Sequence, residues 1–298
     1  MNRVIVVCGP TGIGKSKIGI ELAKKLNGEI INADSTQVYR EMNIGTAKIT
    51  EEEKEGIVHR LIDVKEITDD YSVYDYQNDC RECIEDILKR GKTPIIVGGT
   101  GLYIKAALYD YNFSDEENNA DYSSYTNAEL YKQLLLVDPN TEVHINNRKR
   151  IERALIQYQN NNIPPSQNKK SEKLLYDAVF IGLTMEREKL YDIINKRTDK
   201  MIKNGLIEEA EGLYKKGIKS RALLTPIAYK ELFEYFKGDM SLDESIDLIK
   251  QRVRKYAKRQ YTWFRNQLPV IWYEVDFSNL DNTTEQILNN LTKTLNIN

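Results

Sequence analysis

The chain opens on an unbroken apolar run, Val4 to Cys8, followed by a glycine-rich polar turn and by Lys17 to Leu26, where apolar positions recur at helical spacing. Short strand-like runs return at Gly28 to Ala33, Pro94 to Val97 and Asp177 to Leu183, with a further short strand predicted at Val58 to Val64. Val73 to Lys89 has helical periodicity, and Gly91 stops it. Strand-like runs alternating with helices predict an α/β fold, a parallel sheet covered by helices.

After residue 110 the pattern changes. Tyr111 to Thr126 is acidic, rich in Asn and Ser and poor in aliphatic side chains, which reads as a loop or small inserted element. Glu129 to Leu136 and Val143 to Gln159 read as helices, and Asn160 to Lys170 as a polar connection. Glu186 to Lys215 is helical with a break at Gly205, another helix begins near Ala228, and Leu242 to Arg265 is long and basic towards its end. Pro269 to Val275 supplies a returning strand before a last helix near Thr284 to Leu295. The expected organisation is a core over 1–110, a small helical insertion over 111–143, a core return with basic helix and strand over 144–184, a helical portion over 185–265, and a strand and helix over 266–298.

Composition narrows the partners. With 298 residues and 41% apolar side chains, the chain can bury a substantial core. Forty-three Lys and Arg against 45 Asp and Glu give a net charge of -2, so any attraction for a polyanion must come from local clustering. Cys8, Cys80 and Cys83 make neither a disulfide framework nor a four-ligand zinc site and read as reduced thiols. MNRVIVVCGP enters a strand almost at once, and no apolar run is long enough to span a membrane; a cytoplasmic monomer is expected.

The turn after the first strand reads GPTGIGKS, Gly9 to Ser16, with the spacing of a phosphate-binding loop between strand and helix. Backbone amides would hold a polyphosphate, Lys15 would reach it as a point charge, and Ser16 would offer a hydroxyl to Mg²⁺. The spacing points to a P-loop NTPase-like parallel-sheet core with a helical insertion and an extended helical C-terminal portion. Asp34 follows the second strand, where a scaffold can hold a general base; capping the next segment is its structural alternative. Thr100, in the second glycine-rich turn Gly98 to Gly101, either orients phosphate or caps its helix. Gln37 can read an adenine edge or satisfy nearby backbone. Arg150 and Arg153, three apart on one helix, suit a diphosphate or RNA phosphate, or else form a solvated face. Gln251 to Arg265 holds six basic residues and no acidic one, a phosphate-binding stripe interleaved with aromatics.

These residues together resemble the tRNA dimethylallyltransferase family along almost the whole chain. The motifs are GPTGIGKS at Gly9 to Ser16, DSTQVY at Asp34 to Tyr39, IGTAK at Ile44 to Lys48 and GGTGLY at Gly98 to Tyr103, then DPNTEVHINNRKRIERAL at Asp138 to Leu155, GLTMEREKLYDIINKR at Gly182 to Arg197, and YAKRQYTWFR at Tyr256 to Arg265. The resemblance implies transfer of a dimethylallyl group from dimethylallyl diphosphate to N6 of the adenine immediately 3′ of the anticodon in a tRNA anticodon stem-loop. It implies that Gly9, Thr11, Gly12, Gly14, Lys15 and Ser16 hold the prenyl diphosphate with Mg²⁺ and Arg150. Asp34, Lys15 and Thr100 would act in catalysis, while Thr11, Ser35, Gln37, Arg153, Lys258, Arg259 and Gln260 would contact substrate, the last three on the nucleic-acid-binding side. The chain departs from the family at Ala228, where glycine precedes the tyrosine in relatives, at Thr225, and at Asn147. A nucleoside-triphosphate-dependent kinase and a noncatalytic RNA-binding module are the alternatives.

Overall fold

The computed structural model describes residues 3–111, 120–167 and 173–295. Residues 112–119 of the acidic stretch and 168–170 of the polar connection lie outside them. Six strands, β1 (Arg3–Cys8), β2 (Gly28–Asn32), β3 (His59–Arg60), β4 (Thr93–Gly98), β5 (Asp177–Thr184) and β6 (Ile271–Glu274), form one sheet in the order β3-β2-β4-β1-β5-β6. Every pairing is parallel. This is the expected α/β architecture.

The unbroken apolar run of β1 follows from its central position. Ile5 and Val7 enter one buried cluster with α1 (Lys15–Lys25), while Val4, Val6 and Cys8 enter another with α2 (Val73–Lys89) and α3 (Gly101–Leu108). Side chains alternate across a strand, so burial on both faces removes the polar alternation of a half-exposed sheet. The Val58 to Val64 strand contracts to the two residues of β3, because Leu61 and Asp63 take φ of 60° and 56° and cannot continue an extended chain.

Residues 110–173 form a separate compact unit containing α4 (Asn127–Val137) and α5 (Arg148–Asn161). The basic helix assigned from sequence to the core return thus packs inside this unit, where Ile151, Ala154 and Leu155 meet Leu130, Leu134 and Tyr122. Its start falls at Arg148, not Val143, since the Asn147 side chain accepts from the Arg150 amide as an N-cap.

The remaining helices belong to the larger unit: α6 (Arg187–Lys203), α7 (Leu206–Lys215), the unforeseen short α8 (Arg221–Leu224), α9 (Tyr229–Lys237), α10 (Leu242–Gln267) and α11 (Leu280–Leu295). Gly205, at φ 98°, makes the predicted break between α6 and α7. Among the described residues no helix is long and apolar enough to cross a membrane.

Candidate active site

The polar turns after β1, β2 and β4 come together at the carboxyl edge of neighbouring strands, the usual place for ligands in an open parallel sheet. In the first turn Gly12 and Gly14 take φ of 83° and 89°, left-handed backbone that a side chain would strain. Gly14 is the N-cap of α1, and no side chain caps it, which leaves the amides of the first helical turn for an anion. Lys15 Nζ lies 2.8 Å from the Pro10 carbonyl, to which it donates. Burial pulls the Lys15 ammonium down to about 8 against the attraction of Asp34, and Arg197 adds to the lowering.

Arg197 comes from α6. Burial lowers its guanidinium too, with Asp34 and Glu53 opposing, and no hydrogen bond or ion pair engages its side chain among the described residues. A half-buried guanidinium with no carboxylate partner is unusual. Sequence reasoning missed this residue, although Arg197 follows the buried Leu190 and Ile194 at helical spacing. A cation in the inward row of a helix was the available signal.

Asp34 fulfils one sequence alternative with one oxygen and leaves the other open. Its Oδ1 accepts from the Thr36 amide at 2.9 Å and the Thr36 hydroxyl at 2.7 Å, a local cap. No hydrogen bond engages Oδ2 among the described residues. Thr100 does not cap α3 with its side chain. Its hydroxyl oxygen accepts from the Ser35 amide at 3.1 Å and its O–H reaches Ser35 Oγ at 3.4 Å, joining the turns after β2 and β4. Gln37 spends its amide donors on the Thr46 and Ala47 carbonyls, at 3.1 and 3.3 Å, so its Nε2 supports the IGTAK segment. That segment is fixed further by Glu209, which accepts from the amides of Asn43, Ile44 and Gly45 and from the Tyr229 hydroxyl. Ser16, Asp34 and Gln37 also border a cavity of about 50 Å³ with Asn32 and His59.

Helix α10 presents two different faces. Lys258 and Arg259 are exposed and, with Lys255, Thr262 and Trp263, line a groove of about 570 Å³. Gln260 is instead buried at 5% exposure: its Oε1 accepts from the Thr11 amide at 2.8 Å and its Nε2 donates to the Gly99 carbonyl at 3.0 Å. The structure therefore separates Gln260 from the outward basic stripe to which sequence assigned it. Tyr256, one turn earlier and unnamed as a site residue, lies beside Thr100; burial first, then the Asp34 charge, push its phenol up to about 12. Trp263 covers Gly101, where a Cβ would overlap the indole, so it anchors the helix as well as lining the groove.

Arg150 and Arg153 are exposed on α5 in the smaller unit. Arg148, from the same basic string, is engaged by the Tyr122 and Tyr125 carbonyls and by Glu152. All three cysteines are free thiols. Among the described residues no group of three or more His, Cys, Asp and Glu could hold a metal ion.

The chain is similar to known proteins along most of its length. A family model described as IPP transferase matches residues 37–267. The tRNA dimethylallyltransferase of Anoxybacillus flavithermus is 50% identical over 282 residues, covering 92% of this chain and 91% of that protein. That of Geobacillus kaustophilus is 50% identical over 286 residues, with the same shares, 92% and 91%. Among solved structures, the tRNA isopentenylpyrophosphate transferase of Bacillus halodurans superposes with a TM-score of 0.78 at 41% identity, over 99% of this chain and 97% of that one. A eukaryotic dimethylallyltransferase acting on tRNA superposes at 0.84 with 29% identity, over 98% of this chain and 79% of that one.

Proposed function

The chain belongs to the IPP transferase family, and from that premise we propose that it transfers a dimethylallyl group from dimethylallyl diphosphate to N6 of the adenine immediately 3′ of the anticodon in tRNA, releasing diphosphate. The observation that carries the reading is the convergence of the turns bearing Lys15 and Asp34 at the carboxyl edge of the sheet, within electrostatic reach of Arg197 from the helix packed against Gly12. Two half-buried cations without a salt bridge suit a leaving diphosphate, and a carboxylate oxygen without a partner suits proton removal.

In the proposed step the N6 lone pair attacks the allylic carbon as its bond to the diphosphate oxygen breaks, and that electron pair departs with the diphosphate. Lys15, Arg197 and the loop amides stabilise the charge on the leaving oxygens, with Thr100 orienting them. A neutral exocyclic amine is a poor acid, but bonding to carbon acidifies its protons, so Asp34 Oδ2 takes one as the C–N bond forms. Positioning and leaving-group stabilisation thus outweigh basicity as sources of rate.

The Ser16 hydroxyl at the start of α1 is a hard oxygen donor of the kind magnesium prefers, and it would help to hold that ion beside the donor's diphosphate. Bound there it would neutralise part of the leaving group's charge. The exposed Lys258 and Arg259 meet RNA phosphates, as does Arg153 of the smaller unit. The target adenine leaves its loop stack to enter the pocket, where Ser35 and the Gln37 carbonyl oxygen orient it. The enzyme works in the cytoplasm as a monomer.

The test is to incubate purified protein with dimethylallyl diphosphate, Mg²⁺ and unmodified anticodon stem-loop RNA, without ATP, and to locate added mass by fragmentation. A five-carbon addition on the adenine beside the anticodon is expected. No addition on any folded tRNA by protein that binds diphosphate would overturn the assignment in favour of a kinase or an RNA-binding module.

A further inference from the structure

Helix α10 reaches the reaction centre through a side chain whose chemistry is distinct from that of its basic neighbours. A buried carboxamide needs partners for both its acceptor and its donor. Gln260 finds them in two separate loops: the Thr11 amide in the turn after β1, at 2.8 Å, and the Gly99 carbonyl in the turn after β4, at 3.0 Å. Gly99 is shaped for this contact, since a Cβ there would collide with the Gln260 amide nitrogen. Both loops are glycine-rich and hold few side chains of their own to fix their spacing. Yet that spacing sets the distance from Lys15, which follows Thr11, to Thr100, which follows Gly99 and binds the Ser35 amide next to Asp34.

We propose that Gln260 is a positioning residue that ties the phosphate-binding loop to the Gly98–Thr100 turn, fixing the leaving group relative to the proton acceptor. The proposal rests on the prenyl-transfer reading above. It assigns Gln260 to the reaction geometry and not to RNA contact: its amide faces inward, whereas the neighbouring Lys258 and Arg259 are exposed. A misplacement of the order of 1 Å between reacting groups is enough to cost about 10²-fold in rate.

The experiment measures single-turnover rate at saturating donor and RNA, together with the separate affinities, in the wild type, Gln260→Met and Gln260→Glu. Gln260→Met keeps the volume and removes both hydrogen bonds; its rate should fall about 10²-fold while RNA affinity stays within about twofold. Gln260→Glu places an anion against the Gly99 carbonyl at high pH. Once protonated, its carboxyl can again accept from Thr11 and donate to Gly99. Its rate relative to wild type should therefore rise as pH is lowered from 8 to 6, with no such rise in Gln260→Met. A rate for folded Gln260→Met within about twofold of wild type overturns the proposal, as does loss of RNA affinity with an unchanged saturated rate. A wild type that transfers nothing overturns the reaction instead. Inorganic diphosphate binding then decides on Gln260: about fivefold weakening in Gln260→Met upholds its hold on the loop, and equal affinity removes it.

Discussion

The two ends of β2 gather charge in opposite ways. At its start Glu29, 2% exposed, accepts from Arg60 at 3.1 Å, Arg90 at 2.8 Å and Lys92 at 2.9 Å, so one buried anion is fully surrounded by cations. Beyond its end Asp34 stands near Lys15 and Arg197, neither of which forms an ion pair among the described residues. The hydrogen bond from Arg90 leads in holding the Glu29 carboxyl far below the usual range, against the burial that opposes it, and Lys92 and Arg60 assist. Burial lowers the two cations at the other end instead. A satisfied cluster suits holding the sheet together; an unsatisfied one suits the charged ligand proposed for the site.

Breaking the site end should have the largest effect. Asp34→Asn keeps an Oδ1 acceptor for Thr36 and so keeps the turn, but removes the proton acceptor; turnover should fall about 10²- to 10³-fold with RNA affinity retained. Single-turnover chemistry near the wild-type rate would refute the role. Next, Arg197→Gln should weaken diphosphate binding about tenfold or more by calorimetry, since a charge-assisted contact to the leaving group is lost. Equal affinity would leave Arg197 a purely structural cation.

Glu29→Gln addresses the other end and should reverse the pattern. Stability should drop by about 1–3 kcal/mol in denaturant titration, with the single-turnover rate of the folded protein unchanged. The sign with pH follows from the depressed carboxyl: Glu29 contributes stability above its unfolded value near 4.5, and that contribution is lost as pH falls below it. Acid unfolding of the wild type should accordingly be steeper than that of Glu29→Gln.

Lys15 gives a smaller, graded test. Its ammonium is lowered to about 8, and the charged form binds diphosphate, so affinity should be level below that pH and fall about tenfold per unit above it. A flat profile up to pH 9.5 would show that another cation carries the anion. The smallest effect is expected at Ala228, which holds φ 88° and is remote in role from either charge cluster. Ala228→Gly should relieve about 1 kcal/mol of strain and raise the melting temperature by about 2–4 °C without changing the rate.

Much of the fold was legible because its signals are local. The β1 run, the Val73 to Lys89 helix and the Gly205 break each follow from burial periodicity or from a glycine that can take positive φ. The Gly9 to Ser16 turn and Asp34 were legible as a motif and a strand end. Helix α8 and the start of α5 at Arg148 were not foreseen, because short helices and caps depend on a few side-chain bonds that periodicity does not register.

Sequence by itself determined the parallel α/β core, the family and the identity of the loop that would hold a polyphosphate, since each is written in contiguous residues. Tertiary structure alone decided which polar side chains meet there. Gln260 lies one residue from an exposed arginine, yet helical geometry turns it inward to join residues 249 and 161 positions away. Arg197 comes within electrostatic reach of Asp34 only because α6 packs against the Gly12 turn, a long-range juxtaposition that no local pattern specifies.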